Sequence, residues 1–259
     1  TWYVVDGMDG SGKSTAADVL VDKLESEGRK VLRIEHPNRT TRLGRLEARL
    51  LLVDGKAALV ASTALYVADV VRSVWRMKRA RGFDDVVFVR YIMAVAYLPD
   101  DLAGMAYRIF ANVLPTPDVR ILVDVDPETA MRRIESRGEE LERFESPEKL
   151  EKVRGRMLRL SDGWIVVDNS GSPEESADGI RAAALGKRRP GAAHPLLTAA
   201  SNLSRISAAF SGMFGESELN TLIGTCTNAK HPLSDTAERM DSGSEALSTR
   251  GRPYAEATA

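Results

Sequence analysis

Near the amino terminus, Gly7-Met8-Asp9-Gly10-Ser11-Gly12-Lys13-Ser14-Thr15 sets three glycines, a lysine and adjacent hydroxyls within one short segment. The spacing fits G-x-x-x-x-G-K-[ST], placed after the apolar run Trp2-Tyr3-Val4-Val5 and before a helix-forming stretch from Ala16 to Glu27. Gly7, Gly10 and Gly12 let the backbone bend with its N–H groups turned inward, and the following helix offers its positive end to a phosphate. Lys13 would reach the β- and γ-phosphates, and Ser14 would offer a hydroxyl to Mg2+, a cation that prefers hard oxygen ligands. An ordinary glycine-rich turn is the alternative, and the coincidence of strand, spacing, lysine and serine argues against it. The segment predicts a nucleoside triphosphate site.

Such a loop needs a sheet behind it. Five β-branched runs alternate with longer stretches of helical period, the pattern of a parallel sheet covered on both faces. Strands are expected near Trp2–Asp6, Lys30–Glu35, Asp85–Val89, Val119–Asp124 and Trp164–Val167. Helices are expected over Ser14–Glu27, Leu43–Asp54, Ala57–Arg79, Leu102–Leu114, Pro127–Ser136, Pro147–Leu160 and Pro173–Leu185. Ligands of open α/β sheets sit at the carboxyl ends of the strands. That rule selects Asp6, Glu35 to Arg39, Arg90-Tyr91, Asp124 to Asp126, and Asp168 to Ser170 for attention.

The 259 residues suffice for one large domain with an appendage, and 43% apolar residues supply a sizeable core. A formal net charge of −1 argues against bulk electrostatic binding to nucleic acid. Cys226 is the single cysteine, which leaves no intramolecular disulfide or cysteine zinc site and suits a reducing, cytoplasmic setting. No apolar run approaches the roughly 20 residues of a membrane span, and the opening reads as a core strand rather than a signal peptide. Lys187-Arg188-Arg189-Pro190-Gly191 breaks the pattern, so residues 1–186 read as the main domain and 187–259 as a C-terminal extension. Within the extension, Leu196, Ala199, Leu203, Ile206, Phe210 and Met213 trace one amphipathic helix near 196–214. Beyond it the chain is expected to be mostly irregular or disordered. That helix could dock on the main domain or a second subunit, or lie on a membrane surface; docking is favoured because Arg205 is nearly its sole cation.

Several segments together resemble the thymidylate kinase family of P-loop nucleoside monophosphate kinases: Val5-Asp6-Gly7 through Thr15, Leu65-Tyr66-Val67-Ala68-Asp69, Arg90-Tyr91, Ala96-Tyr97, Pro117-Asp118-Val119 through Glu128, and Arg137-Gly138 through Glu142-Arg143-Phe144-Glu145. The resemblance covers about the first 185 residues. It implies a P-loop NTPase fold of nucleotide-kinase type and, most simply, transfer of the γ-phosphoryl group of ATP with Mg2+ to dTMP. It further implies that Asp9 faces the acceptor sugar hydroxyl, Tyr66 stacks on the base, Arg90 clamps phosphate, Tyr97 packs near the acceptor, and Arg137 and Arg143 close with a lid. Asp168, Asn169 and Ser170 resemble the adenine-side loop, where backbone groups do the recognition. Family members are commonly dimers, so a homodimer is the implied assembly.

Cation supply has a physical reason of its own, because phosphoryl transfer between two anions needs alignment, exclusion of water and positive charge around the moving group. Gly10 is not basic, so Arg137 and Arg143 would supply that charge on closure. Alternatively Arg132, Arg133, Arg137 and Arg143 merely pair with neighbouring glutamates on a solvated face. Three positions depart from the family pattern. Val89 stands where an acidic residue is usual before Arg90, leaving Mg2+ to Ser14, phosphate oxygens, water and an outer contact from Asp6 or Asp124. Val70 stands where an arginine reads the base, which puts Arg72 forward as a substitute, and Arg39 would take over a phosphate contact of the altered Pro37 loop. His36 could act as a general base or as a loop histidine hydrogen-bonded beside Pro37, and the second is favoured because nucleotide kinases need no strong base. A kinase for another nucleotide, nucleoside or small phosphate acceptor, or a catalytically weakened ATP-binding regulatory protein, are the competing readings.

Overall fold

The computed structural model describes residues 1–37, 45, 56–138, 145–185, 208 and 212. The expected helix at Leu43–Asp54, the join after Gly186, the helix near 196–214, and the site candidates Arg39 and Arg143 lie outside the described residues. All described residues fall in the first of two units, Thr1–Gly215 and Glu216–Ala259.

Five parallel strands, β1 (Trp2–Asp6), β2 (Val31–Glu35), β3 (Asp85–Val89), β4 (Val119–Asp124) and β5 (Ile165–Asp168), form one sheet in the order β2-β3-β1-β4-β5. The central strand is buried at every position, which is why Trp2-Tyr3-Val4-Val5 reads as a continuous apolar run. Edge strand β2 alternates instead, Leu32 and Ile34 inward, Arg33 and Glu35 outward. Val5 pairs with Val89 on one side and Ile121 on the other, so β3 ends one residue short of β1 while β4 runs two residues past it, all with their carboxyl ends at the same edge of the sheet.

Among the described residues the helices are α1 (Lys13–Ser26), α2 (Lys56–Arg79), α3 (Asp100–Val113), α4 (Pro127–Glu135), α5 (Pro147–Arg159) and α6 (Pro173–Leu185). On one face of the sheet, Ala16, Ala17, Leu20 and Leu24 of α1 and Ile180, Ala183 and Ala184 of α6 bury against Tyr3, Val5, Val87, Val89, Ile121, Val123 and Val167. The side chains alternating with these, Trp2, Val4 and Phe88, are also buried; Trp2 meets Phe88 edge to face at 5.2 Å between centroids. No helix among the described residues is long and apolar enough to cross a membrane.

Element ends differ from expectation where a local hydrogen bond competes with the ladder. β5 starts at Ile165 because the Trp164 amide closes a turn onto the Ser161 carbonyl at 2.8 Å, while its indole N–H donates to Tyr107. β2 starts at Val31 because the Lys30 N–H is taken by the Asp84 carboxylate at 2.8 Å. The expected start of α3 at Leu102 moves to Asp100, since Pro99 provides the carbonyl that accepts from Leu102 and Ala103. Ile92–Tyr97, to which the apolar pattern assigns no element, forms a 3-10 turn between β3 and α3.

Candidate active site

The phosphate loop is tied down at both ends before any ligand arrives. Asp6, at the end of β1, accepts from the Gly7 N–H at 2.9 Å and from the Tyr91 N–H at 2.8 Å, joining the loop to the end of β3. Burial pushes the Asp6 carboxyl up, against the pull of these two amides and of Arg90 and Lys13. Gly10 takes a positive φ of 75°, and a Cβ there would lie 2.4 Å from the Ala130 carbonyl oxygen, so α4 packs directly on the loop. Asn169, following β5, donates its side-chain amide to the Ser11 carbonyl at 2.6 Å. This residue therefore acts through its side chain as well as its backbone, which the adenine-side expectation did not include.

Lys13 is buried and curls back, its Nζ 3.0 Å from the Met8 carbonyl and 3.3 Å from Asp9 Oδ1. Burial and then the Arg90 charge bring its ammonium down to about 8, although Asp9 and Asp6 pull it upward. Asp9 gathers three partners: Lys13, the Arg90 guanidinium through Nη2, and the Tyr97 hydroxyl, which donates to Oδ2 at 2.8 Å. Burial alone would raise the Asp9 carboxyl; Arg90 and Lys13 overcome it and hold the group well below the usual carboxylate range. Burial and the Asp9 charge push the Tyr97 hydroxyl well above its ordinary value. At neutral pH the cluster is an ionised carboxylate between two cations and a neutral phenol.

Arg90 is the one non-glycine residue with positive φ among the described residues, at 67°. Such a conformation costs about 1–3 kcal/mol and persists only where the surroundings enforce it. Here the Arg90 N–H donates to the Val5 carbonyl at 3.0 Å and its own carbonyl faces His36 Nδ1 at 2.9 Å.

Three adjoining clefts run along the carboxyl edge of the sheet. The first is lined by Gly12, Thr15, Ala16, Val19, Arg133, Asn169, Gly171 and Ile180 among others. The second shares Gly12, Thr15 and Arg133 with it and adds Gly10, Lys13, Ser14, Glu35, Arg76, Arg90, Arg137 and Glu145. The third shares Asp9, Arg90 and Pro37 with the second, and is otherwise walled by Tyr66, Val67, Val70, Tyr91, Tyr97, Leu98, Phe110 and other mostly apolar groups. Tyr66 is fixed in that wall, its hydroxyl donating to the Tyr91 carbonyl at 2.6 Å.

The structure thus brings together Gly7 through Thr15, Tyr66, Arg90, Tyr97, Arg137 and Asn169 around one continuous groove. Asp168 and Ser170 flank Asn169 but bond one another, the Ser170 N–H donating to Asp168 at 2.9 Å. Arg72 is exposed and lines none of the three clefts; Tyr66 and Val70, four residues apart, share the pocket face of α2, and position 72 points elsewhere. Arg76 of the same helix reaches the middle cleft instead. Arg137 is exposed, sits 3.6 Å from Glu145 and lines the middle cleft.

Both carboxylates expected to make an outer metal contact, Asp6 and Asp124, have protein partners. Asp6 spends both oxygens on amides, and Asp124 spends both on the Arg154 fork at 2.8 Å each. Val89 packs in the core, fully buried. A carboxylate does stand by the Ser14 hydroxyl, which donates from Oγ to Glu35 Oε1 at 3.0 Å. Among the described residues there is no cluster of three or more acidic, histidine or cysteine side chains suited to a metal. These donors fit an ion that arrives on a polyphosphate, with Ser14 completing its shell, better than a resident ion.

Arg133 was the least legible contributor. Its Nη2 donates to the Asn169 carbonyl at 2.9 Å, and Nη1 is buried with no partner among the described residues, between the first and second clefts. The available signal was its place one turn after Ala130, the residue on which the loop packs.

A parallel sheet with a glycine-lysine loop at the carboxyl end of its central strand, and cations collected around that loop, defines a P-loop phosphotransferase. The comparisons narrow this class. The thymidylate kinase family model matches residues 5–180. A Pyrobaculum aerophilum protein described as "Probable thymidylate kinase" is 33% identical over 184 residues, covering 68% of this chain and 92% of that protein. A Xanthomonas oryzae thymidylate kinase is 32% identical over 218 residues, covering 79% and 92%. The solved thymidylate kinase of Candida albicans superposes with a TM-score of 0.55 at 21% identity, over 70% of this chain and 89% of that one, a likeness of fold. The chain belongs to the thymidylate kinase family and is a nucleoside monophosphate kinase.

Proposed function

We propose that the protein transfers the γ-phosphoryl group of ATP to dTMP, yielding dTDP and ADP. The observation that carries this reading is the pair Asp9 and Arg90, common to the cationic middle cleft and the apolar third cleft. Two anionic substrates placed in those clefts meet at that pair. ATP lies with its adenine toward Asn169 and Ile180 and its phosphates on the loop. Lys13 leaves the Met8 carbonyl for the β- and γ-oxygens, and dTMP enters the third cleft against Tyr66. Asp9, kept ionised, accepts from the acceptor sugar hydroxyl, with Tyr97 holding its second oxygen. Arg90 grips the phosphates at the junction, while Arg133 and Arg137, joined by Arg143, Arg39 and Arg76, add charge around them. An oxygen of the acceptor phosphate attacks the γ-phosphorus in line, and the bond to the β-bridging oxygen of the departing ADP breaks. Mg2+ bound to the triphosphate would neutralise charge on the β- and γ-oxygens. Ser14 would hold it, with Glu35 alongside.

Residues 1–186 form the kinase domain in this reading, with 187–259 appended. Family membership and the single cysteine support a cytoplasmic homodimer.

A second reading has its own observation. Apart from Asp9 and Arg90, the described lining of the third cleft carries no charged side chain, and Val70 is buried in it. An acceptor with a different base would find no cation to reject it. An ADP-release assay with dTMP, dUMP, dCMP, dGMP and AMP tests both readings. We expect the highest kcat/KM with dTMP; a better alternative acceptor supports the second reading, and no acceptor-dependent turnover overturns both.

A further inference from the structure

His36 is buried to 1% exposure, yet its ring does nothing in the transfer just described. Its Nδ1 lies 2.9 Å from the Arg90 carbonyl oxygen, which can only accept, so Nδ1 carries the hydrogen. The other nitrogen, Nε2, is buried with no hydrogen-bond partner among the described residues. Around it the ring meets Phe88 edge to face at 5.3 Å between centroids and Tyr66 at 6.2 Å. An apolar ring would fill that space without stranding an acceptor, so the orphaned Nε2 is a cost tolerated for what Nδ1 does.

What Nδ1 does is hold the left-handed residue. The peptide groups of the Arg90 turn are tied on each side. Arg90 N–H donates to Val5, Tyr91 N–H to Asp6, and the Tyr91 carbonyl accepts from Tyr66. The Arg90 carbonyl is the group that a side chain of β2's extension secures, while the His36 N–H holds the Val89 carbonyl at 3.0 Å. We infer that His36 is a positioning residue: its Nδ1–H locks the Arg90 carbonyl and with it the left-handed turn that aims the guanidinium at the junction of the two substrate clefts. The inference rests on the proposed phosphate grip of Arg90. Burial pushes the His36 imidazole below its usual value, against the Arg90 carbonyl and the Asp69 charge, in keeping with a neutral ring.

Two amides separate the ring's nitrogens, since Asn at position 36 places a donor near Nδ1 and Gln places one near Nε2. We expect H36N to keep kcat within about threefold of the parent and H36Q to lose at least tenfold. Both should keep the parent's affinity for a non-hydrolysable ATP analogue. H36Q equal to or more active than H36N overturns the inference. Nitrogen-15 NMR of the full-length protein at pH 7 supplies a readout independent of turnover and of folding in the variants. The Nδ1–H neutral tautomer is expected, and an Nε2–H or doubly protonated ring contradicts it. R90A separates the two levels: an unchanged kcat in R90A refutes the phosphate grip, whereas the tautomer reports on the His36 contact itself.

Discussion

Lys13, Asp9 and Arg90 show how three buried charges stay affordable, two cations sharing one carboxylate until phosphate arrives. This sets a pH dependence. With its ammonium brought down to about 8, Lys13 is half protonated there and about one-eleventh protonated a unit higher. Phosphate binds the charged form, so affinity is nearly full below about pH 7, falls through pH 8 and declines about tenfold per unit well above it. Isothermal titration with a non-hydrolysable ATP analogue should show roughly fivefold weaker binding at pH 9 than at pH 8, and K13M should remove the dependence. Glu35 gives a second residue-level prediction. E35Q should weaken Mn2+ binding to the protein–analogue complex by about tenfold, read by electron paramagnetic resonance, with metal-free analogue affinity unchanged. Neither contact was legible from composition or spacing. Glu35 and Ser14 are 21 residues apart, and only the return of β2 beside α1 places them together.

At the level of elements, Gly10 and Gly28 separate backbone strain from packing. Both have φ near 75°, but a Cβ on Gly28 meets nothing within 4 Å, whereas on Gly10 it strikes the Ala130 backbone at 2.4 Å. Thermal unfolding should show Gly28→Ala losing about 1–2 kcal/mol, the conformational term. Gly10→Ala should lose more and also bind the ATP analogue weakly, because α4 must leave the loop. Central elements were legible because their signals are local. Trp2–Asp6, Asp85–Val89 and Val119–Asp124 are apolar runs that stop at the residues expected from sequence. Ends and irregular pieces were not, since the Lys30 bond to Asp84 and the 3-10 turn at Ile92–Tyr97 depend on neighbours distant in sequence or on short apolar runs without a clear period. Arg72 lines none of the described clefts because, two residues past Val70, its side chain leaves α2 about 200° round from the pocket face.

For the molecule as a whole, the order of the three clefts follows from the topology. The loop after β1 is central, Asn169 after β5 lies to one side, and Arg90 after β3 lies to the other. The packed cluster between α1, α6 and the sheet runs from Tyr3 to Ala184, and the family match from 5 to 180. A chain ending at Gly186 should therefore keep kcat/KM for dTMP within about twofold of the full chain, a loss beyond tenfold assigning the extension a part in the site. The central claim is tested most directly by phosphorus-31 NMR of the full-length protein mixed with MgATP and dTMP. The account predicts that the signals of ATP and dTMP give way to those of ADP and dTDP, and that K13M stops the change. Unchanged signals, or inorganic phosphate without dTDP, would contradict it.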